Sequence, residues 1–183
     1  MYSLTAIHLL SLLLLCDSQM MGPPGTMLFD AIGPCENNPG GDVEFDLNLQ
    51  STDSKGGKIL SMNVSTKVPL DDTVTYLANV LKWEDNGWKY ANKRSGNLCP
   101  DLMRFASKIW KLLQEHSVPK IPDECSLEPG DYRVENVTAA TSDLDIPVTY
   151  YGKTRLDVSI YQGSTLLACV VFDGVSQKPA RPF

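Results

Sequence analysis

With 183 residues, a net charge of −6 and a pI near 4.8, the chain has the length for one domain with a core of its own. The acidic balance argues against a nucleic-acid surface, which needs clustered Lys and Arg. Apolar residues make up 43% and aromatic residues 8% of the chain, ordinary values that argue against wholesale disorder.

Leu4 to Cys16 (LTAIHLLSLLLLC) is an apolar run of secretory-signal length, too short to span a bilayer comfortably. Cys16 and Ser18 are small residues at the spacing of a cleavage site, which predicts a signal peptide over 1–18 and a secreted, extracellular product. No Lys or Arg precedes the run, so only the amino terminus supplies positive charge. No later segment is long and apolar enough for a transmembrane span. After residue 18 the cysteines are Cys35, Cys99, Cys125 and Cys169, an even number suited to an oxidising compartment. Their separations are too wide for zinc-ligand pairs, and only His116 is left to join them, so disulfides are expected and a metal is not. Sequence physics alone leaves all the pairings of four cysteines open. Cys99 with Cys125 is favoured because it would close a helical excursion, leaving Cys35 with Cys169 to tie the two ends of the domain. Asn63-Val64-Ser65 and Asn136-Val137-Thr138 are sequons, so both asparagines are expected to face solvent as glycosylation acceptors.

Residues 19–41, rich in Gly and Pro (MGPPG, GPCENNPGG), read as an extended lead-in to a domain over 42–173. VEFDLNL follows, with Val43, Phe45, Leu47 and Leu49 alternating against Glu44, Asp46 and Asn48: a half-buried strand. KILSMNVST sets Leu60, Met62 and Val64 on one face and Asn63 on the other. TVTYLANVLKW carries apolar residues on both faces, Val74, Tyr76 and Val80 against Leu77, Leu81 and Trp83; its Thr and Val content favours a strand covered on both sides. Asp85-Asn86-Gly87 is a hairpin turn, from which WKYANKRS returns with Trp88 and Tyr90 on one face.

After Cys99 the period becomes helical. Leu102, Phe105, Ala106, Ile109, Leu112 and Leu113 share one face, with Met103 and Trp110 at its edge. Arg104, Ser107, Lys108, Lys111, Gln114 and Glu115 lie opposite. Pro100 suits the first turn, Asp101 complements the N-terminal dipole, and Pro119 and Pro122 stop the helix. The apolar arc is wider than a helix docked on a surface requires. Strands resume with YRVENVTAA, a segment from Ile146 to Tyr151, TRLDVSIYQ and TLLACVVF; residues 174–183 read as a tail. The expected fold is mainly β, an antiparallel cup or sandwich of about seven or eight strands with one amphipathic helix.

Chemistry is sparse. No G-x-S-x-G, P-loop or G-x-G-x-x-G occurs, His116 stands alone near a helix end, and Asp71-Asp72 and Asp143/Asp145 sit in polar turns. Neither catalysis nor a cofactor is expected. Trp83, Trp88 and Trp110 are either packing residues or, with Phe45, Leu47, Phe105, Ile109 and Leu113, the wall of an apolar cavity. Arg104, Lys108 and Lys111 form a basic stripe whose plain reading is a solvated helix face.

Across VPLDDTV, ANVLKWEDNGWKY, LCPDLMRFASKIWKLL, PDECSLEPGDYRVENV and PVTYYGKTRLDVSIYQGSTLLACV, the chain resembles the insect chemosensory CheA/CheB-type proteins. More distantly it resembles the ganglioside-activator branch of the ML-like lipid-recognition superfamily. The resemblance runs from about Cys35 to about Phe172 and rests on the LCPDL helix entry, the turn at Cys125 and Pro129-Gly130-Asp131-Tyr132, and the YYGKTRLDV strand. It implies a β-cup with a hydrophobic interior, no catalytic residues, and the pairings Cys35–Cys169 and Cys99–Cys125. The additional cysteines of ganglioside activators near the helical loop have no counterpart here. The function so implied is a secreted, non-enzymatic binding protein for a lipid or hydrophobic semiochemical in pheromone or contact chemosensation. Its partners would be that hydrophobic molecule and a cell-surface receptor. The alternatives are an extracellular receptor adaptor without ligand, and an activator that presents lipids to a hydrolase.

Overall fold

A computed structural model describes residues 21–51, 58–138 and 143–179; the signal peptide expected over 1–18 lies outside them. Among the described residues eleven strands and two helices follow in the order β1 Met21–Gly22, β2 Met27–Pro34, β3 Val43–Ser51, β4 Lys58–Thr66, β5 Val74–Glu84, β6 Gly87–Asn97, α1 Leu98–Phe105, α2 Ser107–Glu115, β7 Ser117–Val118, β8 Gly130–Val137, β9 Thr149–Tyr150, β10 Gly152–Gln162 and β11 Thr165–Ser176. They pair antiparallel into a five-stranded sheet, β2-β11-β10-β5-β6, a four-stranded sheet, β3-β4-β8-β7, and the short pair β1-β9.

Alternation decides which way each strand faces. β10 sets Leu156, Val158 and Ile160 against Arg155, Asp157 and Ser159, and only the first set can turn towards the other sheet. Through the register Leu156↔Val80, Val158↔Ala78 and Ile160↔Tyr76, β10 turns the even-numbered residues of β5 inward with it. In the four-stranded sheet, Phe45↔Val64↔Tyr132 and Leu47↔Met62↔Val134 form the inward rows.

Three segment bounds differ from expectation. The lead-in over 19–41 is not merely extended: Met27–Pro34 is an edge strand on β11. A register shift near Phe29 breaks its alternation, and a proline at the end of an edge strand costs no ladder bond. The tail expected from 174 begins later, because β11 continues to Ser176. The segment from Ile146 to Tyr151 contributes only Thr149–Tyr150, because Pro147 cannot donate to a ladder.

The single expected helix is two. At Ala106 (φ −144°, ψ 30°) the backbone leaves helical geometry. The Phe105 carbonyl, which an unbroken helix would pair with the N–H four residues on, accepts instead from Asp145 N–H at 2.8 Å.

Candidate functional site

The two inner faces pack most closely at one end. There Val43, Val74 and Ala168 are fully buried, with Leu70, Ile160 and Leu167 around them; fully burying a Val, Leu or Ile side chain stabilises a fold by roughly 1.5–3 kcal/mol. Cys35–Cys169 fastens β2 to β11 at this end, with Cα atoms 5.3 Å apart. Cys99–Cys125, at 5.4 Å, ties the first turn of α1 to the segment before β8.

The helices close one flank. Trp110, 6% exposed, packs among Val64, Ile121, Tyr132 and Val134, with Leu102, Leu112 and Leu113 beside it. Tyr76 donates to the Asp101 carboxylate at 2.6 Å and accepts from Arg94 Nε at 2.9 Å, so α1 is held to β5 and β6. Burial, and then the hydrogen bond to Asp101, raise the pKa of the Tyr76 phenol.

Towards the other end the packing thins. Val80, Leu156 and Phe172 on one wall, and Leu47, Leu49 and Leu60 on the facing wall, stay only half-buried although the registers point them between the sheets. A closed sandwich interdigitates such side chains to interior density. Here they keep accessible surface between the sheets, although Val137, in register with Leu60, is buried.

The residues expected to line an interior divide. Phe45 touches both core clusters, and Leu47 belongs to the half-buried wall. Trp110, expected at the edge of the helical face, is its buried centre, and Leu113 packs with it. Ile109 is half-buried on α2. The Phe105 ring faces two guanidinium groups, Arg94 at 4.2 Å and Arg104 at 5.0 Å. Trp83 and Trp88 are corrected: they lie on the outer face of the five-stranded sheet, since Trp83 is an odd-numbered residue of β5 and pairs with Trp88. Their rings meet edge-on at 5.2 Å, with Lys153 over both and Arg155 over Trp88 at 4.6 Å. Sequence reasoning did not carry Leu49, Leu60, Val80, Leu156 or Phe172 to the site, although the alternation of β3, β4 and β10 already placed several of them on one face.

No protein-family model matches the sequence, and no curated protein does. Among solved structures the chain is similar to chicken MD-1 complexed with lipid IVa, at 14% identity over 83% of this chain and 98% of that one, with a TM-score of 0.39.

His116 caps α2, and its Nδ1 lies 2.9 Å from the Glu135 carbonyl oxygen. Asp71 accepts from the Thr73 hydroxyl at 2.6 Å and from Thr73 N–H at 2.9 Å, which lowers its carboxyl pKa. Among the described residues no group of His, Cys, Asp or Glu is placed to hold a metal, and no helix is long and apolar enough to cross a membrane. Two adjoining grooves of about 430 and 370 Å³ run over the outer face of the four-stranded sheet, where Asp46, Asn63 and Arg133 are common to both. Asn63 and Asn136 are both exposed, as the sequons require.

Proposed function

We propose that this chain is a secreted, non-enzymatic carrier whose cup holds the apolar body of a lipid or hydrophobic semiochemical, in a chemosensory setting of the CheA/CheB type. One observation carries the reading: Val80, Leu156, Phe172, Leu47, Leu49 and Leu60 face one another between the sheets yet remain half-buried. Apolar surface of that kind gains roughly 25 cal/mol per Å² when a hydrophobic guest covers it. Two disulfides and two exposed sequon asparagines suit an extracellular protein.

The test is organic extraction of the protein purified from a secreting eukaryotic host, followed by mass spectrometry, with uptake of a hydrophobic fluorophore by the delipidated protein alongside. Recovery of apolar molecules and saturable uptake support the carrier. A protein with no extractable guest and no uptake is not a carrier, and a ligand-independent receptor complex in a pull-down then favours the adaptor.

A further inference from the structure

Beyond the half-buried apolar rows, the inward registers become cationic. The next row of the five-stranded sheet is Lys89, Lys82, Thr154 and Gly174; on the facing sheet it is Ser51 and Lys58. Three lysines and, further along β5, Glu84 therefore end the inner faces of a chain whose net charge is −6. Lys58 donates to Ser51 Oγ at 2.8 Å, and Lys89 lies 4.0 Å from Asp85, both of these last side chains being more than half exposed.

Lys82 differs from its neighbours. It is 8% exposed, at the boundary between the apolar rows and the rim. Lysine is almost never so buried unless paired, and its ammonium carries three donors. Glu84 accepts from Lys82 Nζ at 2.9 Å, with its own side chain 38% exposed towards the rim. Snorkelling keeps a lysine head in water along an apolar stem, which describes Lys89 but not Lys82. Glu84 takes one donor, leaving others for an oxygen acceptor arriving from within the cup.

We propose that Lys82 anchors the anionic head of an amphiphile whose tail lies along Val80, Leu156, Leu49 and Leu60. The proposal rests on the reading that the cup takes a hydrophobic guest, and it adds the chemical class. A carboxylate or a phosphate meets the requirement equally, since each offers charged oxygens to the free ammonium donors. Lys58 and Lys89 add positive field at the ends of the two inner faces.

Three competitors with one tail and different heads test this by displacing a hydrophobic fluorophore: oleate, oleoyl lysophosphatidate and oleyl alcohol. The acids are expected to bind about tenfold more tightly than the alcohol, the effect of one charge-assisted hydrogen bond. Lys82→Met is expected to abolish that preference and leave the alcohol unchanged, while Lys82→Arg retains it. The order of oleate and lysophosphatidate tells carboxylate from phosphate. Equal competition by oleate and oleyl alcohol in the unmodified protein overturns the anchor while the carrier reading stands, and needs no variant to fold. Equal weakening of all three competitors by Lys82→Met overturns it likewise. Absence of both fluorophore uptake and binding of any competitor overturns the carrier reading, and the anchor with it.

Discussion

Tyr76 donates its phenolic hydrogen to Asp101 at 2.6 Å, joining the inner face of β5 to the first helix. Arg94 completes the triangle, with its Nε on the same phenol at 2.9 Å and its guanidinium 4.2 Å from the Phe105 ring centroid. Tyr76→Phe is expected to cost about 1 kcal/mol, lowering the urea midpoint with an unchanged slope. The pH dependence has a definite sign. Burial and then the hydrogen bond to Asp101 raise this phenol above its ordinary value of 10.0, so the folded state keeps a proton that the unfolded chain releases. The stabilisation is complete below that ordinary value and is lost as pH rises through the folded one. Tyr76→Phe should flatten this alkaline fall; an unaltered fall would assign it to other groups.

Cys99–Cys125 closes a loop around both helices, with a sequence separation of 26. Loop entropy assigns it about 3.5 kcal/mol. Replacing both cysteines with alanine should lower unfolding stability by that order in chemical denaturation, and the loss should be accompanied by faster hydrogen exchange in α1 and α2. A loss spread evenly over all the strands would show that the bridge secures the whole fold rather than the helical flank.

The strands with one polar face were legible because the polar set can only face water: Asp46 and Asn63 opposite Phe45 and Met62, or Arg155 and Asp157 opposite Leu156. The hairpin turn was legible too, and Asp85 and Asn86 hold φ values of 51° and 62° there. β5 was ambiguous in a specific way. Both its faces are apolar, so its own pattern cannot say whether Trp83 or Val80 turns inward; the answer lies in its register with β10. That is why the pattern of β5 alone leaves Trp83 and Trp88 open between packing and cavity wall and does not bring Lys82 inward. The break at Ala106 was illegible for a different reason. The group that takes the Phe105 carbonyl is the N–H of Asp145, far along the chain and outside any helical window.

Asp157 tests the electrostatics of the outer face. Burial raises its carboxyl pKa, Arg155 opposes that shift and Asp173 adds to it, while Oδ1 is buried with no hydrogen-bond partner among the described residues. A raised folded pKa means that ionised Asp157 is a cost above that value. The cost fades as pH falls through the folded value towards the ordinary 3.8 and is gone below it. Asp157→Asn is therefore expected to raise Tm by about 2 °C at neutral pH. Thermal scans at neutral and strongly acidic pH should show the two proteins converging at the acidic end. An offset that does not change with pH would attribute the effect to packing.

The strongest contrast is between the inner wall and the outer tryptophans. Leu47 and Leu60 point between the sheets and are half-buried, so a charge there meets any guest directly and costs the fold less than one in a sealed core. Trp83 is 42% exposed on the opposite face of the other sheet, where Lys153 lies over its ring at 4.9 Å. Leu60→Asp is expected to reduce fluorophore uptake at least about tenfold, since even one unpaired charge in an apolar site costs more than 1.4 kcal/mol. Trp83→Ala should leave uptake unchanged and remove only the ring contacts with Trp88 and Lys153. Circular dichroism on both variants separates lost binding from lost folding. If Trp83→Ala abolishes uptake while Leu60→Asp folds and binds normally, hydrophobic molecules are held on the outer sheet face, and the space between the sheets is not the binding site.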